Sequence, residues 1–244
     1  MKKVYILIFC IAPSLAFSQA IPANVRTQMS MERLSRMNFN RLENAVIGLE
    51  APPGRVMGDT YLDSKWNMGS VVIADKNTLV EGYPMKYDIK AQNVEIKTST
   101  GVRLLDVKKV GQLVWLDSIT RLPHYFVNAS KYKSDGVPMI GLREVLVDGQ
   151  KTLFKKTKLN VKQPTYVAAL DVGTRDTEIS KKSNFLYNNG DEVIEIKSKK
   201  KFIESLGADG DAIEKYMKEN KLDAKSQGDL MKIFEYYNSM TPTN

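Results

Sequence analysis

The chain has 244 residues, among them 36 Lys and Arg, 28 Asp and Glu, one His and one Cys. This length is sufficient for a sizeable hydrophobic core, and all-β folds of this size often form one domain. One His and one Cys exclude a structural zinc site, which needs about four such ligands, and a lone Cys excludes a framework of internal disulfides.

The N-terminus has the pattern of a secretory signal peptide. Lysines at positions 2 and 3 precede an apolar run from Val4 to Phe17. A basic end, a short apolar core and small residues before the cleavage point are typical of such peptides. We predict cleavage between Ser18 and Gln19, with cleavage after Ala20 as the alternative. A retained anchor is another interpretation, but the run is shorter than the roughly 20 residues of a membrane-spanning helix.

The signal peptide predicts the compartment and the redox state of the protein. Cys10 lies within the predicted peptide, so the mature chain would enter an oxidising compartment without a thiol or a disulfide. We predict an exported protein that is periplasmic or associated with the outer membrane.

A helix and a linker are predicted to follow the signal peptide. Apolar residues recur at helical spacing within residues 24–47, namely Met31, Leu34, Met37, Leu42 and Val46. The sequence Ala51-Pro52-Pro53-Gly54 then ends any helix.

The middle of the chain has the period of β-strands. Between positions 83 and 90, Tyr83, Met85 and Tyr87 alternate with polar residues, which predicts a strand with one buried and one solvated face. The run 113–116 is apolar at every position, which predicts a more central or covered strand. Asp148-Gly149 predicts a hairpin turn, because Gly tolerates positive φ. A second hairpin is predicted at 188–191, whereas the polar segment 160–182 favours no assignment.

The last 46 residues change to a helical period. Asp211 and Glu214 have the spacing of a capping box at a helix start, and Ser226 precedes another predicted helix. The apolar side of the last helix is predicted to pack on the sheet and comprises Leu230, Ile233, Phe234 and Tyr237.

These elements predict an α+β fold with an antiparallel, curved sheet of about seven to ten strands, an N-terminal helix and two or three C-terminal helices. The predicted organisation is a signal peptide at 1–18, an N-terminal helix and linker at 19–58, an antiparallel β domain at 59–197, and helices at 198–244 that pack on the same domain.

Few residues have a pattern that indicates catalysis. His124 is the only possible histidine base, and no Gly-x-Ser-x-Gly sequence supplies a nucleophile beside it. Phosphate-binding glycine loops do not occur. The stretch Asp209-Gly210-Asp211 lacks the glycine that a calcium loop needs at its sixth position. We predict no catalytic residue, no metal and no cofactor, although the 28 acids leave a pair of catalytic carboxylates open.

Aromatic residues are the remaining candidates for a binding surface, because large amphipathic rings bind ligands and partners as well as filling cores. The candidate contacts are Tyr61, Trp66, Tyr83, Tyr87 and Trp115. The net charge of +8 is spread among interleaved acids, so we expect no nucleic-acid partner but allow peripheral contact with an anionic membrane surface.

The chain resembles secreted proteins of gram-negative bacteria that have no assigned activity. Three stretches carry the resemblance: residues 83–87, the hairpin 147–151, and the tail from Tyr216-Met217-Lys218 to Tyr236-Tyr237-Asn238. The predicted sheet and helices are also similar in shape to the half-barrel of periplasmic lipoprotein carriers. Neither resemblance implies an activity or a site residue.

Three functions remain open from the sequence. The first is a non-enzymatic envelope protein that acts as a binding, scaffolding or accessory component, with an envelope protein as its partner. The second is a periplasmic carrier of a lipid or other apolar ligand. The third is an enzyme that uses carboxylates, Tyr or Lys.

Overall fold

The computed structural model describes residues 53–75, 77–167, 170–190 and 192–240. The chain divides into two compact units, of which the larger comprises residues 53–166 and 173–244. The other unit comprises residues 1–52 and 167–172. Of its described residues, Val167 donates from its backbone N–H to the carbonyl of Val172 at 2.9 Å. The predicted signal peptide, its cleavage point at Ser18 and Gln19, and the helix at 24–47 lie outside the described residues.

The larger unit contains one sheet of thirteen strands in the described part of the chain. In chain order the strands are β1 (Val56–Met57), β2 (Asn67–Ile73), β3 (Thr78–Asp88), β4 (Asn93–Thr98), β5 (Gly101–Asp106), β6 (Val110–Leu116), β7 (Pro123–Asn128), β8 (Lys133–Ser134), β9 (Val137–Pro138), β10 (Leu142–Val147), β11 (Leu153–Lys162), β12 (Thr177–Asn189) and β13 (Glu192–Glu195). The strand order is β5-β4-β3-β2-β6-β7-β10-β11-β12-β13-β8-β9, and β1 pairs with β12.

The predicted fold class is wrong. The sheet is mixed, because β1 pairs parallel to β12 and β13 pairs parallel to β8, and the first helix of the described residues begins only at Lys199. Strands β1, β8 and β9 have two residues each, which is too short for alternation to be recognised in the sequence. The longer strands nevertheless pair antiparallel with one another, as predicted. The described residues contain no cysteine and hence no disulfide.

The strand predicted at 83–90 is confirmed from 83 to 88, the second half of β3, with Met85 and Tyr87 buried, whereas Tyr83 is 38% exposed and residues 89 and 90 lie in the following turn. The prediction for 113–116 is only half right. This segment belongs to β6 near the middle of the sheet, but Val114 and Leu116 are 38% and 43% exposed. Their side of β6 is therefore uncovered, although its residues are as apolar as those of the buried side.

Both predicted hairpins are confirmed, and the unassigned segment between them contains strand ends. Strands β10 and β11 pair across a connection that includes Asp148-Gly149, and β12 pairs with β13 beyond Asn189. Strands β11 and β12 remain paired as far as Lys162 and Glu178. At this end of the pair β11 alternates Leu159 and Val161 with polar residues, but most side chains of both strands are exposed and β12 is mainly polar.

Three helices follow the sheet: α1 (Lys199–Ser205), α2 (Gly210–Glu219) and α3 (Gln227–Met240). Their apolar sides and one end of the sheet form a core that we call the helix cluster. Its buried residues are Val147, Leu153, Tyr187, Phe202, Leu206, Ile213, Met217, Ala224, Leu230, Ile233, Phe234 and Tyr237. The helical stripe predicted for the last helix is thus confirmed as its packing face.

Two further cores lie on opposite faces of the sheet. The first contains Met85, Tyr87, Leu113, Trp115 and Phe126 with neighbouring aliphatic residues. We call the side of the sheet that carries this first core the groove face, after the groove described in the next subsection. Leu153 of the helix cluster lies on the same side. On the opposite face, Phe154 and Leu186 pack with Ala129, Met139 and Val193.

The capping box predicted at Asp211 is wrong. Helix α2 begins at Gly210, so Asp211 lies inside its first turn, and no side chain caps the helix start. The neighbouring acid, Asp209, instead accepts a 2.7 Å hydrogen bond from the hydroxyl of Tyr237 on α3. This contact ties α3 to the turn before α2.

The contact between Tyr237 and Asp209 predicts a loss of stability at alkaline pH. Burial, followed by the hydrogen bond to Asp209, raises the pKa of Tyr237 to about 12. Because the folded-state pKa lies above the unfolded value of about 10, the contribution is complete below pH 10 and is lost as the pH rises from about 10 to 12. We expect urea unfolding to show this decline in the wild type, and Tyr237→Phe to show a smaller one. An equal decline in both proteins would contradict this assignment.

Candidate functional site

A groove of about 270 Å³ opens on the groove face of the sheet, where strands β6, β7, β10, β11 and β12 lie side by side. We call this depression the groove. It is lined by Leu62, Asp63, Trp115, Asp117, His124, Phe126, Glu144, Lys155, Thr157, Lys181 and Ser183.

The strand register brings the central residues of the groove together. His124 is opposite Trp115, and Phe126 is opposite both Leu113 and Glu144. Glu144 is in turn opposite Lys155. Because residues directly opposite each other project from the same face of a sheet, the three strands β7, β10 and β11 place an imidazole, a carboxylate and an ammonium group in one row.

Glu144 links the two basic groups of this row. Its Oε1 lies 2.6 Å from Nδ1 of His124, and its Oε2 lies 3.2 Å from Nζ of Lys155. The Glu144 side chain is only 10% exposed, whereas those of His124 and Lys155 are 32% and 22% exposed. A carboxylate only accepts hydrogen bonds, so the proton of the short contact lies on Nδ1. The Nε2 atom of His124 therefore remains for other contacts.

Apolar side chains form the floor of the groove. The rings of Trp115 and Phe126 pack with their centroids 4.7 Å apart, and Leu62 belongs to the same core. A small neighbouring depression shares Leu62, Phe126, Glu144, Lys155 and Thr157 with the groove and extends it towards Tyr87, Ile89 and Leu142.

The acids at the rim of the groove are held by their own turns. Asp63 accepts from the backbone N–H of Lys65 at 3.0 Å and from Nδ2 of Asn67 at 2.9 Å. Hydrogen bonds from the backbone N–H groups of Thr120 and Ile119 lower the pKa of Asp117. Both carboxylates are therefore fixed in position, and Asp117 is stabilised in its charged form.

Hydroxyl and ammonium groups complete the rim. The Lys181 ammonium pairs with Asp59 at 2.9 Å. Thr157 on β11 is directly opposite Ser183 on β12, which places two hydroxyl groups side by side. The groove thus presents donors and acceptors in close alternation above an apolar floor.

The aromatic residues proposed from the sequence fall into two groups. Tyr87 and Trp115 are buried in the core of the groove face, where Trp115 lines the groove and Tyr87 its extension. Tyr61 and Trp66 instead bracket Lys86, whose Nζ lies 4.9 Å and 4.8 Å from the two ring centroids. Tyr83 is 38% exposed on β3. Of the five candidates, the structure therefore places Trp115 in the groove and Tyr87 in its extension, and the other three line neither.

Sequence reasoning missed most of the polar lining. The sequence predicts no catalytic role for His124, and no local pattern distinguishes Glu144 and Lys155 from the other acids and lysines. Only the strand register brings these three residues together, and the only signal available in the sequence was that His124 is the sole histidine.

The described residues contain no group of three or more His, Cys, Asp and Glu side chains arranged to hold a metal ion. Within the same ranges, no helix has both the length and the apolarity to cross a bilayer.

Comparisons with known proteins found no matching family model, no matching curated protein and no matching solved structure.

Proposed function

We propose that this protein is an exported, non-enzymatic binding component of the cell envelope that holds a small, neutral, hydroxyl-rich ligand in the groove. The observation that carries the proposal is the composition of the groove, in which eight of eleven lining residues are polar and three are apolar. Ligand sites commonly combine an apolar surface with a few polar groups that fix orientation. Here the apolar floor would contact the carbon skeleton, and the rim would bind the hydroxyl groups.

The charges of the rim favour a neutral ligand. Glu144 is shared between His124 and Lys155, and Lys181 is paired with Asp59. A carboxylate ligand would be placed near Asp63, Asp117 and Glu144, and a cationic ligand near two lysines. A hydroxyl group both donates and accepts, so it can bind beside groups of either sign without leaving a charge unpaired.

The same composition argues against a purely apolar ligand. A lipid chain in this groove would cover the hydroxyls of Thr157 and Ser183 with hydrocarbon and offer them no hydrogen-bond partner. Burying a polar group without a hydrogen bond costs roughly 1–3 kcal/mol. A sugar ring, which has apolar C–H faces and peripheral hydroxyls, avoids this cost.

The fluorescence of Trp115 provides a direct test. The chain has two tryptophans, so the Trp66→Phe variant leaves Trp115 as the sole reporter. We expect at least one methyl pyranoside of glucose, galactose or mannose to change its emission saturably, with a dissociation constant of about 1 mM or tighter, equivalent to −4.1 kcal/mol. Decanoate, an apolar-chain probe, should not bind.

Two lysines of the same strand supply the matched variants. In the Trp66→Phe background, Lys155→Met should weaken sugar binding about tenfold or more, since a hydrogen bond from a charged group contributes roughly 1.5–3 kcal/mol. Lys158→Met should not, because strand alternation places Lys158 on the opposite face. Circular dichroism checks that both variants fold.

The other outcomes separate the alternatives. Decanoate binding without sugar binding would favour the apolar carrier. NMR would show whether the protein converts a pyranoside to a product. A conversion that is lost in His124→Gln would favour an enzyme in which Nε2 of His124 acts as a general base. Absence of any response to the sugars would refute the proposal.

A further inference from the structure

A second cavity lies apart from the groove and shares no lining residue with it. Its volume is about 310 Å³, and it opens between the turn that follows β5 and the segment that joins β9 to β10. We call it the loop pocket. It is lined by Gln92, Asp106, Val107, Lys108, Asn128, Ser130, Pro138, Met139, Ile140 and Gly141. This volume is at the lower end of the range of small-molecule sites, roughly 300–1,000 Å³.

The wall of the loop pocket is mainly apolar. Val107 and Met139 are buried, and Ile140 is 71% exposed. Two polar lining residues already have partners within the protein. Asn128 donates to the carbonyls of Val107 and Val110, and Asp106 accepts from the backbone N–H of Lys108 at 2.8 Å.

One polar atom at this pocket has no partner. The Oε1 atom of Gln92 is buried, and no described residue donates a hydrogen bond to it. The orientation of the amide follows from its other end, since Nε2 donates to the carbonyl of Ile89 at 2.5 Å and lies 3.0 Å from Oη of Tyr87. A buried acceptor without a donor destabilises the protein, and a bound donor would supply the missing hydrogen bond.

Gly141 keeps space beside this oxygen. Its φ is +90°, and a Cβ built at this position would lie 2.7 Å from Oε1 of Gln92 and 3.0 Å from Oη of Tyr87. A side chain would therefore collide with the amide oxygen at the pocket wall, and L-residues rarely adopt this backbone conformation. The glycine therefore allows the backbone at the wall of the loop pocket to pass close to this oxygen.

We propose that the loop pocket is a second binding site, which accepts a small neutral aliphatic alcohol whose hydroxyl group donates to Oε1 of Gln92. The apolar wall would bury the hydrocarbon part. An anion is excluded because the free polar atom is an acceptor, and Asp106 and Lys108 at the pocket have opposite charges. The inference does not depend on the function proposed for the groove.

The test compares 1-hexanol with 1-methoxypentane, which has the same number of heavy atoms but no donor. Full-length protein with ¹³C-labelled methionine methyl groups reports binding through Met139, which is assigned from the Met139→Leu variant. We expect 1-hexanol to shift the Met139 signal saturably and 1-methoxypentane to bind about tenfold more weakly, as the loss of one hydrogen bond to a buried group predicts.

Two serines provide a blocking variant and its control. Ser130 lines the loop pocket, whereas Ser118 does not, and each is exposed and donates from its backbone N–H to an Asn Oδ1. Ser130→Trp should abolish the response to 1-hexanol, and Ser118→Trp should preserve it, both being checked for folding by circular dichroism. The proposal is overturned if 1-hexanol produces no shift up to its solubility, as expected for a pocket that holds only water. Equal affinity of the two probes, or binding retained in Ser130→Trp, would overturn it as well.

Discussion

Replacing Phe234 by alanine is expected to lower the free energy of unfolding by about 3–5 kcal/mol, as is usual for a buried Phe. Phe234 lies on α3 at the centre of the helix cluster and is 1% exposed. Its ring centroid is 5.7 Å from that of Tyr187 on the sheet and 5.8 Å from that of Phe202 on α1. One side chain therefore joins two helices to the sheet, and its removal leaves a cavity that none of the three elements can fill alone.

Urea unfolding followed by circular dichroism measures this loss, and the m-value should remain unchanged if the surface exposed on unfolding is the same. Phe234→Leu retains most of the volume and should cost less than about 1.5 kcal/mol. Glu235→Ala, at the exposed neighbouring position, should change stability by no more than about 0.5 kcal/mol. A loss below 1 kcal/mol in Phe234→Ala would show that the helices do not share the core described here.

Replacing Asn128 by aspartate is expected to cost about 4 kcal/mol at pH 7, although the two side chains have nearly the same shape. Asn128 is 6% exposed, and its Nδ2 donates to the carbonyls of Val107 at 2.9 Å and Val110 at 2.8 Å. In the variant a carboxylate oxygen would face both carbonyl oxygens. Two buried acceptors would lose their donor, at roughly 1–3 kcal/mol each, and a charge would be buried without a partner.

The loss of stability in Asn128→Asp should depend on pH in a defined direction. Burial and the two carbonyls raise the pKa of the introduced carboxyl group in the folded state above its unfolded value. A raised pKa means that stability is retained below the unfolded pKa and lost as the pH rises through the folded pKa. The variant should therefore approach the wild type near pH 4 and differ most at neutral pH.

Unfolding curves at several pH values test this prediction, and Asn160→Asp is the matched control. Asn160 is exposed on β11, so its replacement should change stability by no more than about 0.5 kcal/mol at any of these pH values. A deficit in Asn128→Asp that stays constant across the pH range would contradict the role assigned to the Nδ2 atom.

Several local elements follow from the sequence because they depend only on residues that are neighbours in the chain. The alternation at Met85 and Tyr87 identifies a strand, and the spacing of Leu230, Ile233 and Phe234 identifies the packing side of a helix. Each pattern indicates which side chains can share a face of the strand or helix. The hydrophobic effect then favours burial of the apolar face.

Other features of the chain give no such local signal. The two-residue strands and the parallel pairs of β1 and β13 were not predictable, and these made the expected fold class wrong. Contacts between segments that are distant in the chain determine these strands and their pairing.

In the groove, too, some features follow from the local sequence and others depend on contacts between distant segments. The sequence by itself determined that this chain forms amphipathic strands followed by amphipathic helices, and it identified Trp115 as a candidate contact. Only the tertiary structure placed His124, Glu144 and Lys155 in one row, because strand register is set by hydrogen bonds between segments about 10–20 residues apart and by irregularities such as the one between Val145 and Val147. Since a shift of one residue moves every side chain to the other face, composition and periodicity alone could not decide which polar groups meet.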